Sequence, residues 1–570
     1  MKYPSARISA AASALLLTAS IVATAVILLD AGDRSHHPAQ ANPSEAAAEK
    51  VDLPVDEHAL LQQGAENANV MAISYDDEEG TAVTAAYDEY VPTAVSSRPP
   101  STSIRTEHPA SDPPTSAPTA HHHQSTSEDT PFTFTGSLVD HPAIGLEVAA
   151  GLTVRVVAQS DRRVEFTSPA AARPHSGRCR FHVRPDGAAA FAAGPGHAEG
   201  DWYYCSNSEV KEYQRSASNR CNGGMLGGRC RAGVYCLLFD GDGRVRDYRH
   251  RLGGDDMCGH NDGVGPDLPS TSTNCQGGVT PFDTYVSCEE TGEGYCWQVD
   301  PRGRRAPERI EALGMSRPGE DKGGWEAMAV DDSTNPSCPV FFFSEDRVDG
   351  TIRRLRPDCG AVGDEDDGDG VARHGGWDML HKGNIAVDYL EFVGGCDDSG
   401  PQKGRFRWTN NKTFAEQSAR SCYPYSEGIV ATRGKVMFVT KTSDLIFTLD
   451  QATGEWRGIH SHANEVLSGE GNFQRSPDQI TLDHHEDFMF LTTDGSTTPG
   501  VYIHSLQTGK YYTLWQSRSV GTGREESVGH AISPDGRFIV GALQKDGRVF
   551  LFAREDGEPF TGFDFALRRR

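Results

Sequence analysis

From about Phe132 onward the chain is a succession of short apolar runs separated by tight turns. Val234 to Phe239 leads through Asp240-Gly241-Asp242-Gly243 into another extended piece. Lys435 to Thr440 is followed by Leu445 to Leu449 and the turn Ala452-Thr453-Gly454. Phe488 to Thr492, Val501 to His504 and Tyr511 to Trp515 repeat the pattern, with Thr508-Gly509 as a turn; Phe538 to Ala542 and Val549 to Ala553 do so after Pro534-Asp535-Gly536. Runs of this kind, bounded by Gly, Pro and Asp, read as strands. Strand, longer loop, strand, two-to-four-residue turn, strand is the rhythm of a propeller blade. A β-sandwich has similar strands but needs no recurrence over roughly 430 residues. No long amphipathic helix is evident. The expected fold is an all-β propeller over residues 131–570.

The preceding chain has a different character. From about Ala31 to Thr130 it is Ala, Pro, Ser, Thr, His and acid without sustained periodicity, and Ser96 to Ser127 is the most biased part. Such composition buries too little apolar surface to offset ordering entropy, so residues 31–130 are expected to be a disordered stalk. His121-His122-His123 reads as a solvated patch within it. At residues 1–30, Lys2 and Arg7 precede an apolar run from Ala10 to Leu29. That run approaches the length of about 20 residues that crosses a bilayer core, and Ala23-Thr24-Ala25 is a candidate cleavage site. It is a removed signal peptide or an uncleaved signal anchor. Either puts the main body outside the cytoplasm, secreted or at the cell surface, with the membrane touched only through this segment.

Composition sharpens this picture. Among 570 residues, Lys+Arg 54 against Asp+Glu 80 gives a formal net charge of -26. That excludes nucleic acid as a natural partner and is compatible with cation binding, although a solvated acidic surface is its commoner meaning. The 61 glycines and 32 prolines favour turn-rich β structure. Thirteen cysteines in an exported chain imply disulfides, and the odd count leaves at least one unpaired within the chain.

Thr273 to Glu290 holds the densest candidate chemistry. Cys275 is followed by Gly277-Gly278, where backbone can approach a ligand closely, then Pro281, then a strand from Thr284 to Cys288. The strand ends on Glu289 and Glu290, of which alternation lets only one face a given site. A thiolate beside carboxylates suits a site for both a transition metal and calcium; a half-cystine with a solvated strand end is the plainer reading. Acids recur at comparable places elsewhere. Ser206-Asn207-Ser208-Glu209 follows an aromatic run, and Glu326, Glu427 and Asp478 open strands. Glu345-Asp346 and Asp494 close others. Each could cap its own turn, but circular repetition can gather them on one channel, where buried like charges require cations. The insert Gly363 to Gly370 has the composition of a calcium loop, lacks the closing glutamate of an EF-hand, and reads as a solvated hairpin tip.

These pieces, taken in order, resemble the PhoX-type alkaline phosphatases and their eukaryotic relatives. The resemblance runs through Trp202 to Glu209, Asn274 to Glu290, Trp325 to Asp331, Phe341 to Pro357, Ser426 to Ile429, Pro477 to Ile480, Thr493-Asp494 and Ser533 to Gln544. Its most specific part is Asn-Cys-x-Gly-Gly-x-Thr-Pro with the Cys-Glu-Glu ending. It implies a six-bladed propeller, a cluster of ferric iron and calcium, and phosphomonoesterase activity on small-molecule phosphate esters, with the protein acting as a monomer. By motif, Cys275 resembles the thiolate ligand to iron and is then the unpaired cysteine. Glu326 and Glu427 resemble iron-side carboxylates, and Glu209, Glu290, Glu345, Asp478 and Asp494 calcium-side ones. The family has His where this chain has Trp325, Trp where it has Phe282, and a phosphate-contacting Arg where it has Tyr425. Tyrosine offers no cationic fork. The carried-over metal ligands are thus more complete than the substrate cradle, and no catalytic side chain is assigned.

Three functions remain open at this level: a metal-dependent phosphomonoesterase, a non-catalytic calcium-stabilised propeller used for surface binding, and another propeller hydrolase such as a lactonase. Residues 31–130 are expected to be dispensable. Limited proteolysis should clip within them and leave a folded remainder; strong protection across that stretch would contradict the reading.

Overall fold

The computed structural model describes residues 132–169, 180–210, 232–253, 268–319, 323–359, 375–394, 396, 402–461, 467–473, 476–518, 525–560 and 563–565. The N-terminal apolar run, the stalk with its His triplet and the acidic insert 363–370 lie outside the described residues. No helix among the described residues is long and apolar enough to cross a membrane.

Six antiparallel meanders, or strand groups, are found among the described residues, besides the parallel pair Phe132–Phe134 with Phe563–Phe565. The first is Pro185–Ala192, Trp202–Ser208, Gly233–Phe239 and Val245–Leu252; the second is Gly278–Val279, Tyr285–Cys288, Cys296–Val299 and Glu308–Arg309. The third comprises Trp325–Asp331, Val340–Glu345, Arg353–Arg356 and Ala386–Val393. The fourth comprises Ser426–Thr432, Lys435–Thr440, Leu445–Asp450 and Glu455–His460. Strand Lys403–Thr409 pairs with both Ala386–Val393 and Glu455–His460 and so joins the third and fourth edge to edge. The fifth comprises Pro477–Leu482, Phe488–Thr493, Gly500–Ser505 and Tyr511–Ser517, extended by Leu146–Ala149 and Leu138–His141. The sixth has only three strands of its own, Ser527–Ile532, Phe538–Leu543 and Arg548–Arg554. Its fourth is Leu152–Gln159, from the other end of the domain. That pairing closes the ring by joining the two ends of the domain in one sheet.

The first strands of the groups neighbour one another in cyclic order, Pro185–Ala192 lying beside both Gly278–Val279 and Ser527–Ile532. This is a propeller-like arrangement. The core follows from it: six apolar clusters, each shared by two adjacent groups. Val286, Cys288, Trp325, Phe341 and Phe343 fill one joint, and Trp515, Phe550 and Phe552 belong to another. The strands expected from alternation are present with ends shifted by no more than two residues, as with Val501 to His504 inside Gly500–Ser505. The eleven-residue helix Lys412–Cys422 was not legible in the alternation. Asn411 caps it by accepting from the Phe414 N–H at 3.2 Å, and the Cys396–Cys422 disulfide ties down its last residue.

Neighbouring first strands approach too closely for side chains near one end. A Cβ on Gly187 would lie 2.2 Å from Gln276 Cα, and one on Gly428 would lie 2.5 Å from Ile480 N. Gly187→Ala and Gly428→Ala should therefore each cost about 1–3 kcal/mol, the usual range for overpacking. Denaturant titration of each variant measures this, and an unchanged midpoint would show that the strands do not meet there.

Candidate metal centre

The close approach coincides with a repeated local irregularity. In the first strand of groups one, three, four and five the register slips by one residue, between Pro185 and Ala188, Trp325 and Met328, Ser426 and Ile429, and Pro477 and Ile480. A bulge re-aims the residue it frees. The freed residues are Asp186, Glu326, Glu427 and Asp478. In group two the bridge Asn274–Glu289, followed by the pair Gly278–Val286, encloses one extra residue in the same way and frees Cys275. In the sixth group the slip comes one residue later, and the corresponding residue is the buried apolar Val528.

A second ring lies opposite the first. The residue just past the partner of each bulge start is Glu209, Glu290, Asp346, Lys441, Asp494 and Gln544, in chain order. Two rings of six equivalent positions therefore meet at one end of the strand ring. They carry eight carboxylates, one thiol, one ammonium, one amide and one valine.

Among these, ligand atoms of Cys275, Glu290 and Glu326 lie within 4.8 Å of one another, as do those of Glu326, Glu427 and Asp478. Glu326 belongs to both groups. It is 1% exposed, and among the described residues its Oε1 has no hydrogen-bond partner. An orphaned buried carboxylate oxygen is costly unless a cation meets it.

The surrounding chain holds the rest in place. Asp186 Oδ1 accepts from the Gly187 N–H at 2.6 Å and from Gln479 Nε2, and its Oδ2 accepts from Gln544 Nε2 at 2.9 Å and lies 3.9 Å from Cys275 Sγ. Glu209 accepts from Arg184 at 3.1 Å and Gln544 at 3.0 Å. Asn207 donates to the Cys275 carbonyl, and the Tyr285 hydroxyl donates to the Gln276 carbonyl at 2.7 Å. Lys441 Nζ lies 2.8 Å from Glu427 Oε1, 3.2 Å from Asp494 Oδ2 and 3.4 Å from Asp346 Oδ2.

Protonation follows from crowding. Burial, and then neighbouring carboxylates, push Asp186, Glu290, Glu326 and Glu526 well above the usual carboxylate range. Glu427 is raised in the same way against the opposing pull of Lys441. Asp478 is pushed up to about 7, by burial first, although Lys441 and a hydrogen bond with Glu526 oppose it. Burial and the same acids raise the Cys275 thiol. Without a bound cation, burial and crowding favour the protonated form of these carboxyls.

The structure brings together seven of the eight sequence-identified residues: Cys275, Glu326, Glu427, Glu209, Glu290, Asp478 and Asp494. Glu345 does not join them. It is buried in an ion pair with Arg353, accepts from the Thr351 N–H at 3.1 Å and from the Ser316 hydroxyl at 3.3 Å, and the adjacent Asp346 takes the ring position. Strand alternation decides which of the two faces the site. The same rule separates Glu289 from Glu290: Glu289 accepts from Thr271, Ser272 and the Tyr295 N–H. Trp325 likewise packs away from Glu326, with the Arg353 guanidinium 4.1 Å from its ring centroid. Cys275 is a free thiol in the structure, as are Cys288 and Cys296, which pair across neighbouring strands. Asp186, Lys441 and Glu526 were not singled out from sequence, and Asp346 was noted beside Glu345 without being assigned to the site. The signal for Asp186 was present: Pro185-Asp186-Gly187 opens a strand as Pro477-Asp478-Gln479 does, but it also reads as a turn.

No known family profile matches the chain, and no curated protein matches it. Among solved structures it is similar to Pseudomonas fluorescens PhoX in complex with vanadate, a transition state analogue. The TM-score is 0.51 at 15% identity, over 76% of this chain and 98% of that one. It is also similar to a Bacteroides thetaiotaomicron protein of unknown function (TM-score 0.37, 10% identity, 71% of this chain and 79% of that one). A gluconolactonase from Xanthomonas campestris matches at TM-score 0.32 and 10% identity, over 75% of this chain and 98% of that one. At such identities the likeness concerns the fold.

The raised carboxyls fix a pH dependence for metal-stripped protein. An Asp with an unfolded value of 3.8 and a folded value of about 7 keeps its proton longer in the folded state. Its contribution turns against folding as pH rises from about 4 to 7. Metal-stripped protein should therefore melt earlier at pH 8 than at pH 5. Restoring metal should flatten or reverse that trend, because metal favours deprotonated ligands. Thermal melts at the two pH values check this; a chelated protein more stable at pH 8 would contradict it.

Proposed function

We propose that this chain is an exported, metal-dependent phosphomonoesterase of the PhoX-like kind, acting on small-molecule phosphate esters. The observation that supports this most is the pair of ligand triads sharing the orphaned Glu326. The donor set fits a metal cluster. Cys275, Glu290 and Glu326 would hold one ion and Glu326, Glu427 and Asp478 a second. Thiolate among carboxylates suits iron, and the all-oxygen positions suit calcium. Bound ions would supply the positive charge that draws in and polarises a phosphate ester.

The chain's own residues prepare the site for this. The bulges aim carboxylates inward, the Asn207 and Tyr285 bonds fix the backbone carrying Cys275, and Gln479 and Gln544 orient Asp186. Tyr425, at the position of the family's arginine, is 38% exposed and has a φ of 57°. It brings no guanidinium, so phosphate recognition would rest on bound ions rather than on the side chain at this position. That same feature favours a second reading, a calcium-stabilised binding propeller without catalysis. Iron together with calcium in the purified domain supports the enzyme, and calcium alone supports the binding protein.

Replacing Glu326 or Glu427 with Gln preserves volume and removes the ligand charge. Each variant should lose bound metal, melt earlier than wild type, and lose phosphatase activity by about a hundredfold or more, beyond the loss of roughly 10–100-fold expected for a residue that only supports a ligand. Glu455→Gln, at a residue 66% exposed, should match wild type. Elemental analysis, melting curves and a phosphomonoester panel with and without chelator provide the readouts. If all three variants keep full metal content and melt alike, the shared centre does not exist.

A further inference from the structure

The second ring carries acid at four of its six positions: Glu209, Glu290, Asp346 and Asp494. At the equivalent place in the fourth group stands Lys441, just past the partner of Ser426. Its ammonium lies among three carboxylates from three successive groups: Asp346, Glu427 and Asp494, at 3.4, 2.8 and 3.2 Å. Three convergent carboxylates are surroundings that suit a hard divalent cation. Here a side chain of the ring itself supplies the positive charge. The backbone fixes it there, since the Lys441 N–H donates to the Tyr425 carbonyl at 3.2 Å and the Tyr425 N–H donates to the Arg347 carbonyl at 2.8 Å.

We propose that Lys441 is a built-in counter-cation, seated where a divalent ion would otherwise bind between Asp346, Glu427 and Asp494. The chain then carries one divalent ion fewer than its two acidic rings would accommodate with acid or a neutral residue at position 441. This rests on the metal-centre reading above and extends it to ion stoichiometry. It also gives the mouth a charge that chelators cannot remove, so part of the carboxylate repulsion stays compensated in metal-stripped protein.

The test counts ions rather than turnover. Wild type, Lys441→Met and Lys441→Arg are dialysed against calcium with iron supplied, and bound metal per folded chain is measured by elemental analysis. Lys441→Met should bind one more calcium equivalent than wild type, and Lys441→Arg should not. Equal stoichiometry in wild type and a folded Lys441→Met variant overturns the proposal. If wild type and variants bind no metal, the metal centre itself is refuted and the counter-cation with it.

A measurement on wild type alone covers the case in which Lys441→Met does not fold. Acylation of Lys441 by an amine-reactive reagent, read by peptide mass spectrometry, should be slow and equal in calcium-saturated and chelated protein. Faster labelling with calcium would show that the ion evicts the ammonium, which overturns the proposal.

Discussion

Apolar packing between adjacent strand groups supplies the free energy that the rest of the structure draws on. Each joint is filled by large buried side chains, such as Trp325 with Phe343 or Trp515 with Phe552. Closure by Leu152–Gln159 makes the joints mutually dependent, because no group can open without exposing two apolar faces. Only a frame held this firmly can crowd carboxylates at one end, where burial and repulsion both oppose it. The bulged strand ends and the short glycine approaches at Gly187 and Gly428 belong to the same frame, and they are what turns the acids inward.

The electrostatics of that end are handled in two ways. Where a partner side chain is present, the charge is met within the chain: Arg353 with Glu345, Arg184 with Glu209, Lys441 with Glu427. Glu326, shared by the two triads, has no such partner for its Oε1 among the described residues, and crowding there favours protons or ions. This uneven distribution of internal cations points to a centre for metal more strongly than the acid count does. A solvated acidic surface would show neither the burial nor the convergence.

Much of the fold was legible from period alone, because alternation reports local pleat and needs no knowledge of partners. The strands and hairpin turns of the later groups are where the apolar runs placed them. The helix Lys412–Cys422 was not, since its stability rests on the Asn411 cap and the Cys396 disulfide more than on an apolar stripe. The site was legible where an acid opened or closed a strand. It was blurred wherever two acids were adjacent: Glu345 and Asp346 differ by one residue and face different environments.

The sequence by itself determined that the chain is a repeating β structure with acids and one thiol at strand ends, because composition and period are local properties. Which acids meet was decided only by the tertiary structure. Pro185-Asp186-Gly187 and Pro534-Asp535-Gly536 are the same tripeptide. In the first, a bulge in the opening strand of a group directs Asp186 to Gln479, Gln544 and Cys275. In the second, Asp535 Oδ1 accepts from the Ser533 hydroxyl and the Arg537 N–H in a hairpin turn at the opposite ends of the strands. No local signal separates them. The difference is the register against neighbouring strands, and register is a property of the closed ring.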